Sequence, residues 1–172
     1  MRLVLDACVL FPDTVRALLL DHAAAGGFTP LWSDRIAEEW ARAAERRVGG
    51  GAAARAQAAL MAARFPGARV TGWEAHAAIA GLPDAADAHV IAAAVAGGAD
   101  GIVTFNTRDF PLRIMAAHGL ARLHPDEFLR LEYAPGGPID AALDRLATPD
   151  LRRWLKHSGL PRLAKARAAA RG

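Results

Sequence analysis

Cysteine, lysine and long apolar runs are all scarce in this chain. One cysteine, Cys8, excludes an internal disulfide framework and a cysteine-rich zinc site. Charges interrupt every segment before it reaches the roughly 18 consecutive apolar residues of a spanning helix, although 53% of the residues are hydrophobic. The start of the chain lacks the basic, apolar and small-residue succession of a signal peptide, so a cytoplasmic protein with no membrane partner is expected. Lysine occurs only at Lys156 and Lys165, and arginine carries the rest of the positive charge. Neither an internal repeat nor a Gly-rich phosphate loop is found. What remains, at 172 residues, suits one domain with a substantial core.

Charge is unevenly placed. Residues 151–172 hold Arg152, Arg153, Lys156, Arg162, Lys165, Arg167 and Arg171 and no acid, so this tail carries +7 while the preceding 150 residues carry −4. A basic run attracts a polyanion by releasing its counterions, and a solvated C-terminus is the alternative.

Helix signals alternate with short β-branched runs, which favours an α/β layer architecture. Strands are expected over Arg2–Cys8, Ala68–Thr71, Gly101–Phe105 and Ala121–His124. Helices are expected over Thr14–Ala25, Asp34–Arg47 and Ala52–Arg64, with another starting after Pro83 and ending at Gly97. Further helices are expected over Pro111–His118, Pro125–Glu132, Ile139–Leu146 and Asp150–Ala170. "YAPGGP", residues 133–138, reads as a linker between a body over residues 1–132 and a helical, basic extension over 139–172.

Asp6 stands at the carboxyl end of the first strand, beside Leu5, Val9 and Leu10. A carboxylate taken out of water there needs a partner. In the helix over Asp34–Arg47 the apolar stripe Ile36, Ala37, Trp40, Ala43 and Ala44 sets Glu39 beside the buried face, with Glu38 turned further toward solvent. Asp84 follows Pro83 in the position of a helix cap, and capping alone explains it. Asp87, Val90, Ile91 and Ala94 recur at helical spacing, which points Asp87 at the core; His89 lies off that face, exposed or satisfied rather than ligating. Past "GIVTF" come Thr104, Asn106 and Asp109, which are ordinary turn formers as well. In a parallel sheet these segments present one edge. Carboxylates gathered there repel one another unless a hard cation sits among them, and oxygen ligands without a Cys/His cluster suit Mg²⁺ or Mn²⁺.

"VLDACVLFP", "EEW", "LPDAADAHVIAAA" and "IVTFNTRDFP", in this order, resemble the PIN-domain ribonucleases over about Arg2–Leu131. The resemblance implies a three-layer α/β/α fold with a central parallel sheet, and a Mg²⁺- or Mn²⁺-dependent endoribonuclease. It implies catalytic roles for Asp6, Glu39, Asp87 and Asp109, metal ligation by Asp6, Asp87 and Asp109, and support from Asp84, Thr104 and Asn106. Cys8 stands where the family often has Asn. Many small bacterial members look like toxins of toxin–antitoxin pairs, so the expected partners are RNA, an antitoxin protein and a second copy of the chain. The tail then supplies Arg152, Arg153, Lys156 and Arg162 as RNA contacts. Two readings compete. One is a catalytically weak RNA- or protein-binding module on the same fold. The other is a haloacid-dehalogenase-type phosphatase, which would want a second acid where this chain has Cys8.

Overall fold

The computed structural model describes residues 1–146 and 148–171; Ala147 and Gly172, both in the expected extension, lie outside the described residues. Five strands, β1 (Arg2–Leu5), β2 (Thr29–Ser33), β3 (Arg69–Val70), β4 (Gly101–Val103) and β5 (Ala121–Leu123), form one sheet in the order β3-β2-β1-β4-β5. Every pairing is parallel, with Val4 opposite Leu31 on one side and Ile102 on the other. In β1, Leu3, Val4 and Leu5 are all fully buried, although alternate side chains point to opposite faces. A strand buried on both sides requires a layer of helices on each, which is the expected α/β/α architecture.

From β1 the chain moves outward through α1 (Ala7–Leu10) and α2 (Asp13–Ala24) to β2, then through α3 (Asp34–Val48) and α4 (Gly51–Arg64) to β3. It returns over the sheet through α5 (Ala88–Ala96), which packs on β1, β2 and β4, and α6 (Leu112–Ala117) connects β4 to β5. Right-handed crossovers running in opposite directions from β1 lie on opposite faces. The carboxyl ends of β1 and β4 therefore flank the point where the winding reverses, the usual place for a ligand crevice.

Several boundaries differ from the sequence-based expectation. Strand β2 lies outside the expected set, and Pro30 within "TPLWS" is unusual in a central strand. Backbone donors alternate sides along a strand: Thr29 N–H bonds Met1 on the β1 side and Trp32 N–H bonds Ala68 on the β3 side. Pro30 therefore faces β3, whose pairing begins only opposite Trp32, so its missing N–H costs the ladder nothing. β1 stops at Leu5 rather than Cys8, since the Asp6 carbonyl accepts the N–H groups of Val9 and Leu10 and opens α1. Asp84 caps a single 3₁₀ turn over Ala85–Asp87 by accepting from Ala86 N–H at 2.8 Å, and α5 begins only at Ala88.

The expected helix over Asp150–Ala170 is two helices, α9 (Leu151–His157) and α10 (Pro161–Arg171). Pro161 lacks an N–H and disfavours helix at Leu160, while Gly159 turns with φ +81° against the ring of Phe105. With α7 (Pro125–Glu132) and α8 (Pro138–Arg145), the C-terminal helices join the main body: α8 packs on α2 and α10 on α7. Ile139, Leu143, Leu155, Leu160 and Leu163 belong to the same buried cluster as β1. Among the described residues no helix is long and apolar enough to cross a membrane.

Candidate active site

Asp6 is the buried centre of the site. Its Oδ2 accepts a hydrogen bond from the Thr104 hydroxyl at 2.7 Å and from the Cys8 thiol at 3.0 Å. Both donors are set by the backbone: Thr104 Oγ1 accepts Asn106 N–H, and Cys8 Sγ accepts Phe105 N–H at 3.2 Å. Asp6 N–H donates to the Val103 carbonyl, so the ends of β1 and β4 are sewn together at the acid itself. Burial raises the Asp6 carboxyl above its ordinary range; the thiol and hydroxyl work against that rise, and the charge of Glu39 adds to it. Cys8 is thus the donor on the acid's other flank, which sequence reasoning missed. Burial first, then the Asp6 charge, pushes its thiol up to about 12, so it stays protonated and donating.

Asp87 senses every other acid of the set. Its carboxyl is pushed up to about 6, first by burial and then by the charges of Asp6, Asp109, Asp84 and Glu39. Asp87 therefore senses four carboxylates spread from Asp6 to Asp109 in sequence. Asp109 is half-buried and accepts from the Asn106 side-chain amide, which closes a turn within the β4–α6 loop. Asp84 is exposed at the margin and spends one oxygen on its cap.

The faces of α3 come out differently from the sequence reading. Glu39 is the more exposed of the two glutamates, 45% against 38% for Glu38. What separates them is company rather than depth. Glu38 is clamped by Arg55 and Arg42, which hold its carboxyl down at about 2, whereas Glu39 faces Asp6 and Asp87. His89, expected off the buried face, is in fact buried, with Nε2 3.1 Å from Glu39 Oε2 and Nδ1 without a hydrogen-bond partner. This contact, with Nε2 donating to the carboxylate, orients Glu39. Its signal in the sequence was slight, since α5 is so apolar that little sets one face apart.

The basic tail is largely spoken for. Arg162 pairs with Glu127 at 2.6 Å, and its backbone N–H, with that of Leu163, is capped by buried Asp126. Arg167 and Arg171 pair with Asp140 and Asp144. Burial works against the Asp140 charge, but Gly136 N–H and the guanidinia of Arg171 and Arg167 outweigh it and hold the carboxyl at about 2. Among the expected RNA contacts this leaves Arg152, Arg153 and Lys156 without a carboxylate partner among the described residues.

An all-parallel sheet with acids gathered about its winding reversal defines the class: an α/β protein with a carboxylate-lined crevice. The family description "PIN domain" matches residues 2–108, and the chain belongs to that family. No curated protein and no solved structure matches the chain. PIN domains are generally nucleases and typically use divalent metals. Among the described residues no three His, Cys, Asp or Glu side chains stand as a ready coordination group. The donor chemistry nonetheless fits a hard cation: every acid offers oxygen, and their mutual repulsion at Asp87 is what a cation relieves. Closing the shell asks for side-chain rotation at Glu39, Asp87 and Asp109, none of them fully buried.

Proposed function

We propose that this protein is a Mg²⁺- or Mn²⁺-dependent endoribonuclease that hydrolyses RNA phosphodiester bonds. The observation that carries the reading is the Asp87 carboxyl at the crevice of a PIN fold, raised to about 6 by burial and then by the charges of four neighbouring acids. Asp6, Asp87 and Asp109 would hold the cation, which when bound supplies the positive charge that neutralises the phosphoryl and leaving oxygens. Thr104 and Cys8 fix Asp6 by donating to one of its oxygens, so that its orientation survives charge changes nearby. Glu39, oriented by His89 and open to solvent, is the acid best disposed to accept a proton from an attacking water. Asn106 keeps Asp109 turned toward the cluster.

Cleavage of defined RNAs by wild type, Asp6→Asn and Asp87→Asn tests this in Mn²⁺ and in EDTA. Both variants should lose cleavage by at least a hundredfold while staying folded; equal rates for all three proteins would refute it. A binding module without turnover is favoured by one observation, the lack of a ready coordination group among the described residues. RNA bound but uncut in Mn²⁺ would select that alternative. For its cellular setting we propose the toxin of a toxin–antitoxin pair in the cytoplasm, supported by the resemblance to small bacterial members. A neighbouring gene for a small DNA-binding protein that co-purifies with this chain and blocks cleavage is the expected partner.

A further inference from the structure

Two clefts meet on the exposed flank of α3. The first, about 490 Å³, is walled by Arg35, Arg42, Arg46, Glu39 and His89; the second, about 250 Å³, by Arg46, Arg47, Glu39, Cys8 and Phe11. Glu39 and Arg46 line both, so the clefts run together beside the acid cluster. Arg35, Arg46 and Arg47 are exposed and pair with no carboxylate among the described residues, in contrast to Arg162, Arg167 and Arg171 of the tail. Arg47 lies over the ring of Phe11 at 5.2 Å and Arg35 over Trp73 at 5.7 Å, which keeps both guanidinia at the surface beside an aromatic face. Arg35 and Arg46 are separated by about 17 Å along the helix, at 1.5 Å per residue. That is a span of a few phosphates with an acidic centre between its ends.

We propose that single-stranded RNA lies across α3, its backbone held by Arg35, Arg46 and Arg47 on either side of Glu39 and a base seated at the edge of the Arg47–Phe11 pair. This rests on the nuclease reading of the cluster and moves RNA recognition from the C-terminal tail to the helix that carries Glu39. Unpaired arginines track the phosphates, and a half-buried aromatic gives a sequence-tolerant stacking surface. A duplex keeps its bases stacked inside and offers none to Phe11. An acidic peptide would set carboxylates against Glu39 without bringing a base for Phe11.

The test uses a labelled 12-nucleotide single-stranded RNA of mixed sequence, with binding followed by anisotropy in EDTA from 50 to 250 mM KCl. Compared are wild type, Arg35→Gln/Arg46→Gln/Arg47→Gln, Arg152→Gln/Arg153→Gln/Lys156→Gln and Phe11→Leu, each with an unchanged melting temperature. The α3 variant should lose more than tenfold in affinity, and its salt slope should fall by about 2, at about 0.7 per single-strand phosphate contact. Phe11→Leu should lose affinity with no change of slope, and the tail variant should change neither. Unchanged affinity and slope in the α3 variant overturn the proposal, as does equal binding of a 12-base-pair RNA duplex or of an Asp/Glu-rich peptide. Cleavage by Asp6→Asn is scored separately. RNA binding that depends on α3 but is never followed by cleavage in Mn²⁺ would sink the nuclease reading and leave the binding surface standing.

Discussion

Replacing Asp87 by Asn removes a charge from the acid cluster while keeping its shape. The carboxyl is half-buried and raised to about 6 from an ordinary 3.8. In the unfolded chain it ionises at the ordinary value, so between those two values the folded protein binds more protons and loses stability as pH rises. The penalty is largely absent below about pH 4 and complete above about pH 6. At 1.36 kcal/mol per unit the whole shift corresponds to about 3 kcal/mol, and solvent around the exposed half of the side chain reduces this to about 1.5. In EDTA at neutral pH, Asp87→Asn should therefore be more stable than wild type by about 1.5 kcal/mol, a rise in melting temperature of about 3 to 6 °C for a chain of this length. At pH 4.5 the advantage should shrink to about a third of that. Saturating Mn²⁺ should reverse the order, because a ligand of the native state stabilises in proportion to its affinity and the variant has one ligand fewer. Urea unfolding at both pH values, with and without Mn²⁺, measures all of this. A variant less stable than wild type in EDTA at neutral pH, or an advantage unchanged at pH 4.5, would refute the electrostatic account.

Two further predictions concern a thiol beside Asp6 and a helix cap in the C-terminal region. With its thiol pushed up to about 12, Cys8 should alkylate with iodoacetamide at pH 8 about a thousandfold more slowly in the native protein than in urea, where an ordinary thiol near 8.5 is partly ionised; equal rates would show that the thiol is not held by burial and Asp6. Asp126→Ala should cost about 2 to 3 kcal/mol by leaving the N–H groups of Arg162 and Leu163 without an acceptor. Hydrogen exchange should then quicken across α10 first, and unaltered protection there would mean that Asp126 does not hold the helix.

The acids that Asp87 senses were picked out by local signals, a strand end at Asp6 and a turn at Asp109, whereas the helical stripe misjudged depth: Glu39 is more exposed than Glu38, and Asp87 ends a 3₁₀ turn ahead of α5. Less legible was anything decided by a distant partner. Pro30 disguised β2, since nothing local tells that its side of the strand is unpaired. The tail reads as free positive charge in sequence, yet Glu127, Asp126, Asp140 and Asp144 take up Arg162, Arg167 and Arg171 once the helices dock. The arginines of α3 carried a usable signal, because Arg35, Arg42 and Arg46 recur on one helical face; Glu38 and Glu45 among them made the pattern look like ordinary surface charge.

β1 lies in the middle of the sheet although it is made first, and this imposes an order of assembly. A chain grown as far as β3 has β1 paired on one edge only, with the other edge bare until Gly101–Val103 arrives. Until then Asp6 has no Thr104 hydroxyl, a donor 98 residues further on, and Asp87 and Asp109 have no Asp6 to face. On the nuclease reading, the acids therefore cannot act together on RNA until the segment from Gly101 to Asp109 has docked against β1.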